Sequence, residues 1–143
     1  MLPLQPDKDN IFRRIWNDLR ADDRSQGSEE WIEFEACKLT IQSIVQTLFT
    51  TKASKLQQDD LSDYEEALMD IRICYHNFSV SDLGTQYAFS NIIGPLEKAT
   101  IYVNGASGIK NYHSITRTRY IQELRKFLVE TLDQIEGLGG IPP

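Results

Sequence analysis

Three carboxylates, Asp63, Glu66 and Asp70, recur at i, i+3 and i+7 and therefore share one stripe of any helix that carries them. Asp59 and Asp60 precede them. A ladder of this kind suits a divalent cation or a basic partner surface, and otherwise serves as a solvated face. Glu29, Glu30 and Glu33 form a second acidic group earlier in the chain. Arg72 and His76, four apart, also share a helix face, where an imidazole and a guanidinium can act on a phosphate or pair with carboxylates. His113, Arg117, Arg119, Arg125 and Lys126 make the last third of the chain locally basic. A helix starting there adds free backbone N–H groups, which suits a phosphate or an acidic peptide. Equally, Arg119, Glu123, Lys126 and Glu130 follow pairing distances along one helix.

Two of these patterns resemble known families. Glu30-Trp-Ile-Glu33 reads ExxE, and Glu66 is followed by Asp70. Paired helical carboxylates of this type resemble the metal-binding motifs of the MazG-like all-α nucleoside triphosphate pyrophosphohydrolases. That resemblance, confined to the two acidic segments, implies a metal-dependent hydrolase using helix carboxylates. The second motif departs from the ExxD of that family, and a helical hairpin would separate the two groups by about 18 Å along its axis. The Arg72 and His76 pair resembles the RNA-cleaving pair of HEPN-domain nucleases, which implies an RNA-binding or RNA-cleaving domain. Three residues lie between them here, where four to six are usual in that family. Gly105-Ala-Ser-Gly108 is a bare GxxG without the GxxxxGK of a phosphate loop, and two histidines with no Ser/His/Asp order disfavour zinc catalysis and hydrolytic triads.

The elements that must carry these groups are helices. Leu61, Tyr64, Leu68, Ile71, Tyr75 and Phe78 alternate spacings of three and four, which predicts a helix with one apolar face. No proline lies between Pro6 and Pro95, so nothing there blocks long helices. A first helix is predicted over 9–22, with Ile11, Phe12, Ile15, Trp16 and Leu19 on one side. A polar loop over 22–28 follows, and Ser28 is positioned to cap a second helix running to residue 50. That helix has a wide apolar arc, Phe34, Cys37, Ile41, Ile44, Val45 and Leu48, with Ile32, Ala36 and Leu39 beside it, as a central helix requires.

The third helix starts either at a Ser62 and Glu65 capping box or earlier, capped by Asp59 or Asp60. Ser81 is the predicted cap of a fourth helix containing Leu83, Tyr87, Ile92 and Ile93, which stops or kinks at Gly94-Pro95 and can restart there. Residues 100–103 read as helix for want of a partner strand, and 104–108 read as a loop. A fifth helix is predicted over 116–136. If the second and third helices form an antiparallel hairpin about residues 55–56, Phe34 comes level with Phe78, Ile41 with Ile71, Leu48 with Tyr64 and Cys37 with Cys74. Two buried thiols packed as small hydrophobes is then the simplest state of the cysteines.

Composition bounds the rest. The chain has 143 residues, enough for a single domain of about five helices with loose ends at 1–8 and 138–143. A formal charge of -6 disfavours non-specific adhesion to nucleic acid or anionic membranes. No secretory signal or membrane span is visible, which makes the cytoplasm the default, and the Asn77-Phe-Ser79 sequon then has no role. The expectation is an all-α, single-domain bundle with no cofactor, metal or catalytic residue, acting as a protein-interaction or regulatory module. Its expected contact residues are the acids Asp63, Glu66 and Asp70 and the bases Arg117 and Arg119. The partner is another protein or a second copy of the chain, since opposite patches on one domain can pair between copies. Tyr87, Tyr102, Tyr112 and Tyr120 can line such an interface, although filling the core is their commoner role.

Overall fold

The computed structural model describes residues 9–22, 29–81 and 89–138. These residues form five α-helices and no strand: α1 (Ile11–Ala21), α2 (Glu29–Thr50), α3 (Gln58–Ser79), α4 (Ser90–Ser107) and α5 (Ile115–Gly137), with a 3₁₀ turn at Ala53–Lys55. The expected Ser28 cap, Leu83, Tyr87 and both chain ends lie outside the described residues. The architecture is a small all-α bundle.

The α2–α3 hairpin is present in the expected register. Phe34 stands 6.1 Å from both Phe78 and Tyr75, ring to ring, and Cys37 and Cys74 are buried in the same core. All six residues of the α3 stripe are buried. Phe89, just before α4, joins Tyr75 and Phe78 at 6.1 and 5.9 Å, which closes an aromatic cluster at one end of the bundle. Aromatic pairs at these separations add to the energy of burial. Both cysteines are free thiols, and burial together with the neighbouring Cys74 thiol pushes the Cys37 thiol well above its ordinary range.

One boundary falls on the earlier of its two expected starts, and two others differ from expectation. The third helix starts early: the Asp60 carboxylate accepts the Gln57 backbone N–H at 3.4 Å, so Ser62 and Glu65 lie inside the helix. Gly94-Pro95 does not stop α4. Pro95 deprives only the carbonyl of Asn91 of a helical donor, and Asn91 is exposed, so water can take that place.

Residues 104–107 are helical rather than a loop. Gly105 lies where α4 meets α5, and a Cβ there would come within 2.9 Å of the Tyr120 ring. Close packing of the two helices outweighs the roughly 1 kcal/mol of helix propensity that glycine forfeits. Ala99, Val103 and Ala106 of α4 and Ile121, Leu124 and Leu128 of α5 are buried in the same core. Tyr102 stacks on Phe127 at 5.7 Å, so this tyrosine fills the α4–α5 seam.

Candidate functional site

Helix α1 explains where the acidic stripe went. Asn10 caps α1, its side-chain oxygen accepting the Arg13 N–H at 3.0 Å. The Asn10 amide donates to Asp70 Oδ2 at 2.9 Å, and Arg13 Nε donates to the same oxygen at 3.2 Å. All three residues are buried. Asp63, two helical turns earlier on the same stripe, accepts the Ile11 N–H at 3.2 Å and pairs with Arg14 Nη2 at 3.2 Å. Asp63 thus satisfies an orphan N–H at the positive end of α1, while Asp70 holds the side chains of its cap Asn10 and of Arg13. The expectation of a solvated face opposite the apolar stripe is corrected here. Ala67, buried midway between the two acids, leaves room for α1 to lie over them. Asp63 and Glu66 are half-buried, and of the three acids only Asp70 is buried.

Arg117 is likewise internal. It is 0% exposed, and its guanidinium donates to the carbonyls of Ala53 at 2.8 Å and Leu56 at 2.6 Å. The same group lies 4.4 Å from the Tyr112 ring centroid, and the Tyr112 hydroxyl accepts the Gln58 N–H at 2.9 Å. Burial lowers the Arg117 pKa from its usual value, with Tyr112 opposing, but an arginine stays charged at neutral pH. Arg117 is therefore a clamp joining the start of α5 to the α2–α3 turn. Ser114 caps α5 by accepting the Arg117 N–H at 3.3 Å, so part of the N–H supply expected for an anion is used internally. Arg119 and His113 remain exposed.

The remaining candidates sit as follows. His76 pairs with Glu97 of α4 at 3.4 Å. Among the described residues no three His, Cys, Asp or Glu side chains converge as metal ligands. Burial, followed by the charges of Glu29 and Glu30, raises the Glu33 pKa, while Arg20 and Arg13 partly offset this. A carboxylate with a raised folded-state pKa ionises first in the unfolded chain, so it destabilises the fold as pH rises through the carboxylate range. Glu33→Gln is expected to raise the melting temperature at neutral pH. The gain should vanish below about pH 4, where the carboxyl is protonated in both states. Equal gains at both pH values, measured by thermal denaturation, would contradict this account.

One of the openings in the bundle is a groove of about 360 Å³ between the end of α2 and the first half of α5. Its floor is Leu48 and Ile121, both buried, and Thr118 and Gln122 form one wall. Phe49 stands on the rim 60% exposed, with the Arg125 guanidinium 4.7 Å from its ring centroid. Lys52, exposed, completes a basic edge. Cation–π contact holds both side chains in place without using up the remaining guanidinium donors. Sequence reasoning missed Phe49. Its signal was present, because it is an aromatic residue that falls outside both apolar arcs of its helix.

No family model, curated protein or solved structure matches this chain. Among the described residues no helix is long and apolar enough to cross a membrane.

Proposed function

We propose that this chain is a non-catalytic protein-interaction module, and that the α2–α5 groove is its contact site. The observation that carries the reading is Phe49, a large aromatic side chain held exposed beneath Arg125 at the edge of an apolar-floored groove. Aromatic and arginine side chains contribute disproportionately to binding energy at protein interfaces. Leu48 and Ile121 offer a seat for an apolar side chain, and Lys52 and Arg125 favour carboxylates beside it. The partner segment is therefore apolar with acidic flanks. Arg119, exposed in the first turns of α5, adds to the same basic character, whereas Asp63, Asp70 and Arg117 support the scaffold.

The test is affinity capture from native lysate with the wild type and with Phe49→Ala and Arg125→Glu. A stoichiometric protein partner should elute with the wild type and fall at least about tenfold with either variant. Circular dichroism should remain unchanged, because Phe49 contributes little to the core. A partner captured equally by all three proteins, or an eluate carrying RNA in place of protein, would overturn the reading.

A further inference from the structure

Two short patterns of equal spacing lie away from the groove, on α3 and α4. On α3, Glu65, Met69 and Arg72 recur at i, i+4 and i+7, and on α4 Glu97, Ile101 and Asn104 do the same. Glu65, Met69, Arg72, Ile101 and Asn104 line one shallow hollow of about 180 Å³, so the two stripes lie side by side. Met69 is 45% exposed and Ile101 66% exposed. Arg72 makes no ion pair or hydrogen bond among the described residues, while the Glu65 carboxylate is oriented towards α4 by the Ser107 hydroxyl at 3.2 Å.

We infer that this α3–α4 face is a two-fold interface, and that its occupant is a second copy of the same chain. Charge complementarity selects that occupant. The midpoint between residues 65 and 72 falls between Leu68 and Met69, and the contacts of Glu65 with Ser107 and of His76 with Glu97 make it level with the Asn104 turn of α4. A two-fold axis lying in the interface and crossing α3 at that point, perpendicular to it, sets α3 antiparallel to α3 of the second copy. Glu65 then faces Arg72 of the second copy, twice. Met69 lies beside the axis, and Ile101 lies about one helical turn from it on α4. Seven residues of helix span about 10.5 Å, so each ion pair lies about 5 Å from the axis.

An isologous contact requires a patch that is complementary to itself, and the Glu65–Met69–Arg72 triplet of α3 meets that requirement. A standard interface takes about 800 Å² from each copy, near a tenth of this chain's 7946 Å² surface. The contact therefore extends past the two apolar residues onto the charged rim. It is independent of the α2–α5 groove and needs no other partner.

Sedimentation equilibrium on the purified chain tests it. The wild type should pass from the 16.4 kDa monomer to twice that mass as concentration rises. Glu65→Arg and Arg72→Glu each set like charges opposite one another at both ends, and each should weaken association at least tenfold. The double variant Glu65→Arg/Arg72→Glu reverses every pair and should restore it. Ile101→Asp should abolish it, and circular dichroism verifies that all four variants keep their helices. A wild type that stays monomeric to about millimolar concentration would overturn the inference. So would a dimer indifferent to both single charge reversals, or a double variant that stays as weak as the singles.

Discussion

Arg117→Met is expected to lower the stability of the fold by about 3 kcal/mol, the larger part of it through the α2–α3 turn. Methionine keeps much of the buried stem but removes both donors. The carbonyl of Leu56 loses its Arg117 donor, whereas that of Ala53 retains the Leu56 N–H at 3.2 Å. Hydrogen bonds from a charged donor contribute roughly 1.5–3 kcal/mol each, and the face of Tyr112 loses its cation as well. Relief of the guanidinium's desolvation offsets part of this, which is why the net estimate stays below the sum. Arg117→Lys keeps the charge but lacks the planar fork that reaches two carbonyls at once, so it should recover only about half of the loss. Chemical denaturation measures both. A loss under about 1 kcal/mol for Arg117→Met would mean that water replaces the clamp. The turn also supplies Lys52 and Ala53 to the groove, so the same variant should weaken partner capture.

Asp70→Ala should cost about 3–5 kcal/mol, because it strands a buried Arg13. The two side chains retain 9% and 7% of their exposure, and the Asn10 amide loses its acceptor at the same time. The penalty lies in the arginine left without its counter-charge more than in the worth of the pair. The double variant Asp70→Ala/Arg13→Met should therefore be clearly more stable than Asp70→Ala alone. Asp63→Ala, which removes a half-exposed capping acceptor, should cost only about 1 kcal/mol. Hydrogen exchange should show α1 opening before the remainder of the bundle in the Asp70 variant. Unchanged stability of Asp70→Ala in equilibrium unfolding would return this residue to the role of a surface acid.

The long periodic segments were legible from the sequence. The α3 stripe, the wide arc of α2 and the Cys37–Cys74 register follow from spacing alone, since the helical period decides which side chains share a face. Gly105 was not legible. Its type suggests a loop, and only the Tyr120 ring packed against it explains a helix there. Pro95 misled for a similar reason, because the cost of a missing N–H depends on whether the carbonyl left over reaches water.

The candidate site divides along the same line. Charge spacing identified Asp63, Glu66 and Asp70 as one candidate surface and Arg117 and Arg119 as a second, but spacing carries no information about which helix lies above them. Asp63 was drawn under α1 by an orphan N–H and Asp70 by the side chains of Asn10 and Arg13, and Arg117 was drawn into the turn by two carbonyls. Phe49 was overlooked because an aromatic off the stripe has no partner within its own helix, and Arg125 reaches it from a segment far along the chain.

Taken alone, the amino-acid sequence determined the all-α architecture, the order of the helices and the faces they bury, because periodicity and capping act over a few residues. The tertiary structure alone decided which charged groups remain available to a partner. Burial of a charge depends on the acceptor or counter-charge that another element brings to it, and in this bundle those elements lie as far as 64 residues away.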